Sequence, residues 1–141
     1  MSNKFIFPLE SVEKLRTHEK ESAKNELMRI KSLIVEQNTK IQELLTEKEL
    51  VLENKEVNLD SIVANKSYIN LIDKKLEKLL GEKQRLFEIE NIRLTDYNTK
   101  DQKLKTIHKV KEKQLSHFQK DILRKENREM DELALRGKVS L

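Results

Sequence analysis

Residues 69–107 read INLIDKKLEKLLGEKQRLFEIENIRLTDYNTKDQKLKTI, and the spacing within them decides the fold. Alternating steps of three and four from Ile69 land on Ile72, Leu76, Leu79, Lys83, Leu86, Glu90, Arg93, Tyr97, Lys100, Leu104 and Ile107. That is a heptad seam, apolar at both ends and polar in its middle. A second seam of the same period runs earlier, through Leu27, Ile30, Ile34, Gln37, Ile41, Leu44, Lys48 and Val51. Only near Glu56 to Lys66 does the pattern lapse for long. The simplest path is a long helix, a turn, and a longer helix folded back. The sequence thus predicts an all-α fold, a long antiparallel two-helix coiled-coil hairpin forming one domain over residues 1–141.

Composition agrees with few, long helices. Of 141 residues, 38% are charged and only 4% aromatic, too little to fill a globular core. Two glycines and one proline leave almost no turn chemistry. The net charge of only +4 and the periodic apolar residues argue against disorder. With no cysteine there is no disulfide framework, thiolate metal site or cysteine nucleophile. No run reaches the roughly 18 apolar residues of a membrane span, and Met1 to Leu9 carries no signal-peptide core. These features lead to the expectation of a cytoplasmic protein with no direct membrane insertion.

Taken in order, the chain opens on a dense apolar cluster, Phe5, Ile6, Phe7 and Leu9. Pro8 fits the first turn of a helix, with Glu10 and Glu13 placed for the positive end of its dipole. Val12, Arg16, Glu19 and Ala23 continue the heptad with only half of the inward positions apolar. Between Ala23 and Leu27 the step is four where three is due, a stutter that locally unwinds a supercoil. Leu33, Leu45 and Leu52 then widen the apolar stripe, as a helix covered by a long partner plus something else requires.

The expected turn spans about residues 57–61, where Asn58, Asp60 and Ser61 are capping candidates, with Asn65 or Ser67 as a second choice. The helices then span about 8–56 and 62–136, roughly 70 and 110 Å long at 1.5 Å per residue. Folding near Leu59 pairs residues whose numbers sum to about 120, leaving Glu112 to Arg136 beyond the paired region. A second stutter after Lys111 brings Leu115, Phe118 and Ile122 into the seam. Gly137, just past Arg136, is a natural helix stop.

Little in this pattern can perform chemistry. His108 and His117 are nine apart and point to opposing faces of a helix, and His18 is distant, so no metal-ligand cluster results and no metal is expected. There is no glycine-rich phosphate loop, nucleophile elbow or positioned acid/base pair. Two long helices also offer no concave pocket. An enzyme is not expected, nor a cofactor. Basic residues crowd Lys100 to Arg128, but Asp101, Glu112, Asp121 and Glu126 interrupt them, which speaks against nucleic-acid binding.

The opening KFIFPLESVEKLRTHEKESAKNEL (4–27), the central SYINLIDKKLEKL (67–79) and the closing ENREMDELALR (126–136) together resemble the flagellar type III export family FliJ. The likeness covers nearly the whole chain, through the order and spacing of the three segments. The resemblance implies a coiled coil similar to the gamma-subunit stalk of rotary ATP synthases. It implies a non-enzymatic stalk and general export chaperone. Such a protein inserts into and promotes the hexameric flagellar export ATPase ring, links it to the cytoplasmic domain of the membrane export gate, and meets export chaperones. It would be cytoplasmic, peripheral to the inner membrane at the flagellar base. The stalk of a virulence-type secretion system and a generic structural coiled-coil adaptor are the alternatives.

By the same resemblance, ring binding falls to Phe5, Phe7, Leu9, Val12, Leu15 and Arg16 from the opening and to Met130, Leu133, Leu135 and Arg136 from the close. Export-gate binding falls to Ile41, Leu44, Leu45, Tyr68, Ile72, Leu76 and Leu79. Most of the latter are also seam residues, and Leu45 and Tyr68 lie off the strict seam. Tyr68 is the only aromatic near the turn, where the family's patch often carries several.

Overall fold

The computed structural model describes residues 4–54 and 58–139, with the side chains of 138 and 139 left aside. It contains two helices, α1 (Glu10–Glu53) and α2 (Leu59–Val139), packed against each other as an antiparallel hairpin. No strand occurs among the described residues. The longer helix is the second, as the seams predict.

Helix boundaries follow local chemistry. Pro8 lies in the turn ahead of α1, where the Glu10 amide donates to the Phe7 carbonyl at 3.2 Å and the Glu13 amide to the Leu9 carbonyl at 2.9 Å. Helix α2 begins at Leu59, three residues ahead of the expected position 62. The cause is Asn58, whose side-chain oxygen accepts from the Asp60 amide at 3.1 Å and whose carbonyl accepts from the Ile62 amide at 3.0 Å. An asparagine cap of this kind satisfies donors that the first turn leaves free. The expected turn includes Val57, which lies outside the described residues. At the other end α2 runs through Gly137 to Val139, past the expected stop. Gly137 keeps a helical backbone with negative φ, and glycine ends a helix only where it adopts the left-handed conformation.

The packing divides into two compact units. One is Glu21–Asn98; the other joins the described residues through Lys20 to those from Thr99 onward. Within Glu21–Asn98, α1 buries Ala23, Leu27, Ile30, Ile34, Gln37 and Ile41. Their steps are four, three, four, three, four, so one continuous edge of the helix is covered. Ala23 and Leu27 are both buried, which sets the four-residue step between them inside the packed edge. On α2 the best-covered residue is Ile72, 2% exposed, which clusters with Ile41 and Leu76 while Leu44 and Leu79 pack against them. Each fully buried aliphatic side chain contributes about 1.5–3 kcal/mol.

Further along α2 the inward positions are Lys83, Glu90 and Arg93, each half-buried. Long stems of this kind cover apolar surface, though the Nε of Arg93 is itself buried without a hydrogen-bond partner, and on α1 Ile30 remains only 3% exposed. Gln37 is the one buried polar residue of the edge. Its amide donates to the Leu79 carbonyl at 3.1 Å and to Glu82 Oε2 at 3.0 Å, so burial leaves its donor satisfied. Both bonds cross to α2 at one level. They oppose any sliding of the helices, since a shifted register would strand a buried amide.

In the other unit, Leu104 is buried and Ile107, Val110 and Ile122 are half-buried on α2. Coverage therefore reaches Ile122, into the segment from Glu112 onward that was expected to lie beyond the paired region. The reason is the segment ahead of α1, where Phe5 packs on Phe118 with ring centroids 5.5 Å apart. The seam also takes a different residue from the one expected, Gln114 being half-buried while Leu115 is exposed. From Leu123 to Gly137 every residue is exposed, an unpaired helical stretch.

Candidate interaction surfaces

The residues expected at the ring fall into two environments. Phe7 is buried, and Lys111 Nζ lies 5.7 Å from its ring centroid, within cation–π range. Phe5 is half-buried on Phe118, and Val12 and Arg16 are half-buried. Leu9 and Leu15 are exposed. Charge fixes this packing: Glu13 meets Lys111 at 3.1 Å and His108 at 3.7 Å, while Asp101 meets Lys20 at 2.9 Å and Lys105 at 3.0 Å. Hydrogen bonds from Lys20 and then Lys105 hold the Asp101 carboxyl below its ordinary range. The Arg16 guanidinium, 3.0 Å away, does the same to Glu19. The pairs that cross between the helices, Glu13 with Lys111 and His108 and Lys20 with Asp101, have numbers that sum to about 120, the register that folding near Leu59 requires.

Met130, Leu133 and Leu135 are another matter. They are 69, 63 and 62% exposed, on the unpaired stretch of α2. Met130 lies twelve residues beyond Phe118, or about 18 Å along the helix. The opening residues are thus folded onto α2, and the closing residues, with Arg136, extend past that contact. The apolar opening is mainly packing; the apolar close has no such cover.

The expected gate residues also divide. Ile41, Ile72 and Leu76 form the buried cluster and Leu44 and Leu79 pack on it. Leu45 and Tyr68 remain on the surface, 39 and 40% exposed. Lys48 reaches across the pair to Asp73 at 2.7 Å in the same unit. Such a half-exposed ion pair contributes at most about 1 kcal/mol, so it sets alignment more than stability.

Among the described residues no three His, Asp or Glu side chains gather closely enough to hold a metal ion. Among the described residues two open depressions lie on the surface, one on α1 lined by Val35, Asn38, Thr39 and Gln42 and one near Val51, Ile62 and Ile69. Neither encloses a water-excluded volume of the kind that small-molecule sites need. Among the described residues no helix is long and apolar enough to cross a membrane.

Two helices packed along a seam, the second the longer, make the protein a coiled-coil helical hairpin. The family model described as Flagellar FliJ protein matches residues 5–138 of the chain. The chain belongs to the FliJ family, a family of non-catalytic flagellar export components, and is a flagellar export-related protein. Comparison with curated proteins and with solved structures gave no match.

Proposed function

We propose that this protein is a non-enzymatic stalk and chaperone of the flagellar export apparatus, which inserts into and promotes the hexameric export ATPase ring and links it to the membrane export gate. One observation carries the reading: a FliJ-family hairpin whose α2 continues unpaired from Leu123 to Gly137 with Met130, Leu133 and Leu135 bare. An unpaired amphipathic helix end suits insertion into a ring, because its apolar side chains are uncovered until a partner covers them. Phe5, Phe7, Val12 and Arg16 then support this end by packing, while Leu9, Leu15 and Arg136 join the contact. On the gate side, Leu45 and Tyr68 carry the contact, and the other five expected residues hold the helices beneath them. An exposed aromatic is an effective interface anchor. Family membership favours the flagellar system over a virulence-type one.

The test is Met130→Ser combined with Leu133→Ser, both on exposed positions. The expected result is unchanged helicity with at least about tenfold weaker binding to the cognate ATPase. Equal binding by variant and parent removes the ring contact from this end.

A further inference from the structure

Carboxylates interrupt the basic run of α2 along the sequence but not around the helix. At about 100° per residue, Lys109, Lys113, His117, Lys120, Arg124 and Arg128 fall at about 0, 40, 80, 20, 60 and 100° about the axis, one arc about 28 Å long. All six are exposed. Every other residue of that arc from Thr99 to Arg128 is uncharged, and Asp131 closes it. Asp101, Glu112 and Glu126 lie about 60° or more outside it. Asp121 stands at its edge, 3.8 Å from Arg124.

The carboxylates of α1 nearby are engaged elsewhere. Glu13 meets Lys111 and His108, both outside the arc, while Glu10 meets Lys14 and Glu19 meets Arg16. Among the described residues no carboxylate meets Lys109, Lys113, Lys120 or Arg128. Moreover Lys109 and Lys113, Lys120 and Arg124, and Arg124 and Arg128 are neighbours four apart, where like charges oppose a helix. A row that repels itself along its length is stabilised by an anionic partner. We infer that this arc is the docking surface for an acidic helix of a partner protein, laid along α2 with carboxylates three or four residues apart.

Shape and chemistry select that occupant. The basic residues follow one another by four, four, three, four and four, the spacing at which a second helix presents one row of carboxylates. A partner helix of about 19 residues covers the row. Asp121 flanks the arc on one shoulder, Glu112 and Glu126 on the other. A lipid surface or a nucleic-acid duplex is broad and would bring these carboxylates against its phosphates. A single helix, about 10–12 Å across, touches the arc between them. The arc also holds no aromatic ring on which a base could stack, and half-buried Val110 is its one apolar residue. A second copy of this chain fits less well, because its row Glu36, Glu43 and Glu47 carries Lys40 at the same spacing. None of the six basic residues belongs to the ring or gate sets, and the inference stands without the stalk reading.

Carbodiimide cross-linking, which joins a lysine amine only to a carboxylate it touches, tests this in gently lysed flagellated cells carrying the full chain. The joined peptides are sequenced by mass spectrometry. Lys109, Lys113 and Lys120 should all join one segment of one partner, at carboxylates three or four residues apart, and Lys14 should not. Lys113→Glu combined with Lys120→Glu, both at exposed positions, should keep the parent's helicity and cut the product at Lys109 at least about fivefold, whereas Lys14→Glu should leave it unchanged. Products scattered over unrelated segments, a product with a second copy of this chain, or no product overturns the inference. So does charge-dependent retention of the parent on phosphatidylglycerol vesicles or duplex DNA without a protein product, which would assign the arc to phosphate. Failure of the parent to stimulate the ATPase, with the cross-link kept, would instead count against the stalk reading alone.

Discussion

Replacing Ile72 by alanine removes three carbons from the best-covered side chain of the molecule, 2% exposed. Lost transfer energy at about 0.8 kcal/mol per carbon comes to about 2.4 kcal/mol. A cavity term adds to this, because Ile41 and Leu76 pack around the site with Leu44 and Leu79 against them. A helix pair is open at its edges, so these neighbours settle partly into the gap, and the expected total is about 3 kcal/mol, near the lower end for such substitutions. Urea unfolding followed by far-UV circular dichroism should show the midpoint falling by about 1.5–2 M at an ordinary slope. The control is Leu71→Ala, one residue away on the same helix but exposed, with an expected cost below about 1 kcal/mol. Equal losses in the two variants would refute the assignment of Ile72 to the interface.

Gly81→Ala should stabilise by about 0.8–1 kcal/mol, since Gly81 is mid-helix with negative φ and an added Cβ meets nothing within 4 Å; an unchanged thermal midpoint contradicts this. Ile34→Asp places a carboxylate in the buried edge of α1 and should unfold the hairpin, checked by loss of the cooperative melt; a parent-like melt rejects it. Phe7→Ala should cost about 3 kcal/mol because the ring is buried, so this variant reports on stability as well as on binding; a melt within 1 °C of the parent argues that the ring is not packed. Asp101 has its folded pKa below the ordinary 3.8, so its contribution is present above that value and lost as pH falls through the lower folded one. Accordingly Asp101→Asn should lower the melting temperature at pH 7 and match the parent at strongly acid pH, and a difference that grows on acidification would reverse the sign.

Much of the fold is legible in periodicity because a seam constrains every third or fourth residue at once. Leu27, Ile30, Ile34, Gln37 and Ile41 can be placed inside on spacing alone, and all five are buried. Gln37 shows what spacing leaves out: its bonds to Leu79 and Glu82 depend on the register, which no local pattern states. The end of pairing was harder to read for a similar reason. Phe5 reaches Phe118 through a segment that precedes α1, and heptad counting says nothing of residues outside a helix. Gly137 misleads because glycine permits a helix stop without imposing one. For the interaction surfaces, position relative to the seam separated exposed Leu45 and Tyr68 from buried Ile72 and Leu76. Which partner covers the exposed residues is a property of that partner's surface, and this chain's spacing carries no record of it.

The central proposal is action on the ATPase ring, and the direct measurement is the hydrolysis rate and oligomeric state of the cognate flagellar export ATPase with and without this protein at matched concentration. Faster hydrolysis together with more hexamer is the predicted result, and the Met130→Ser, Leu133→Ser variant should weaken both. No change in rate or assembly with the folded hairpin present would contradict the stalk reading.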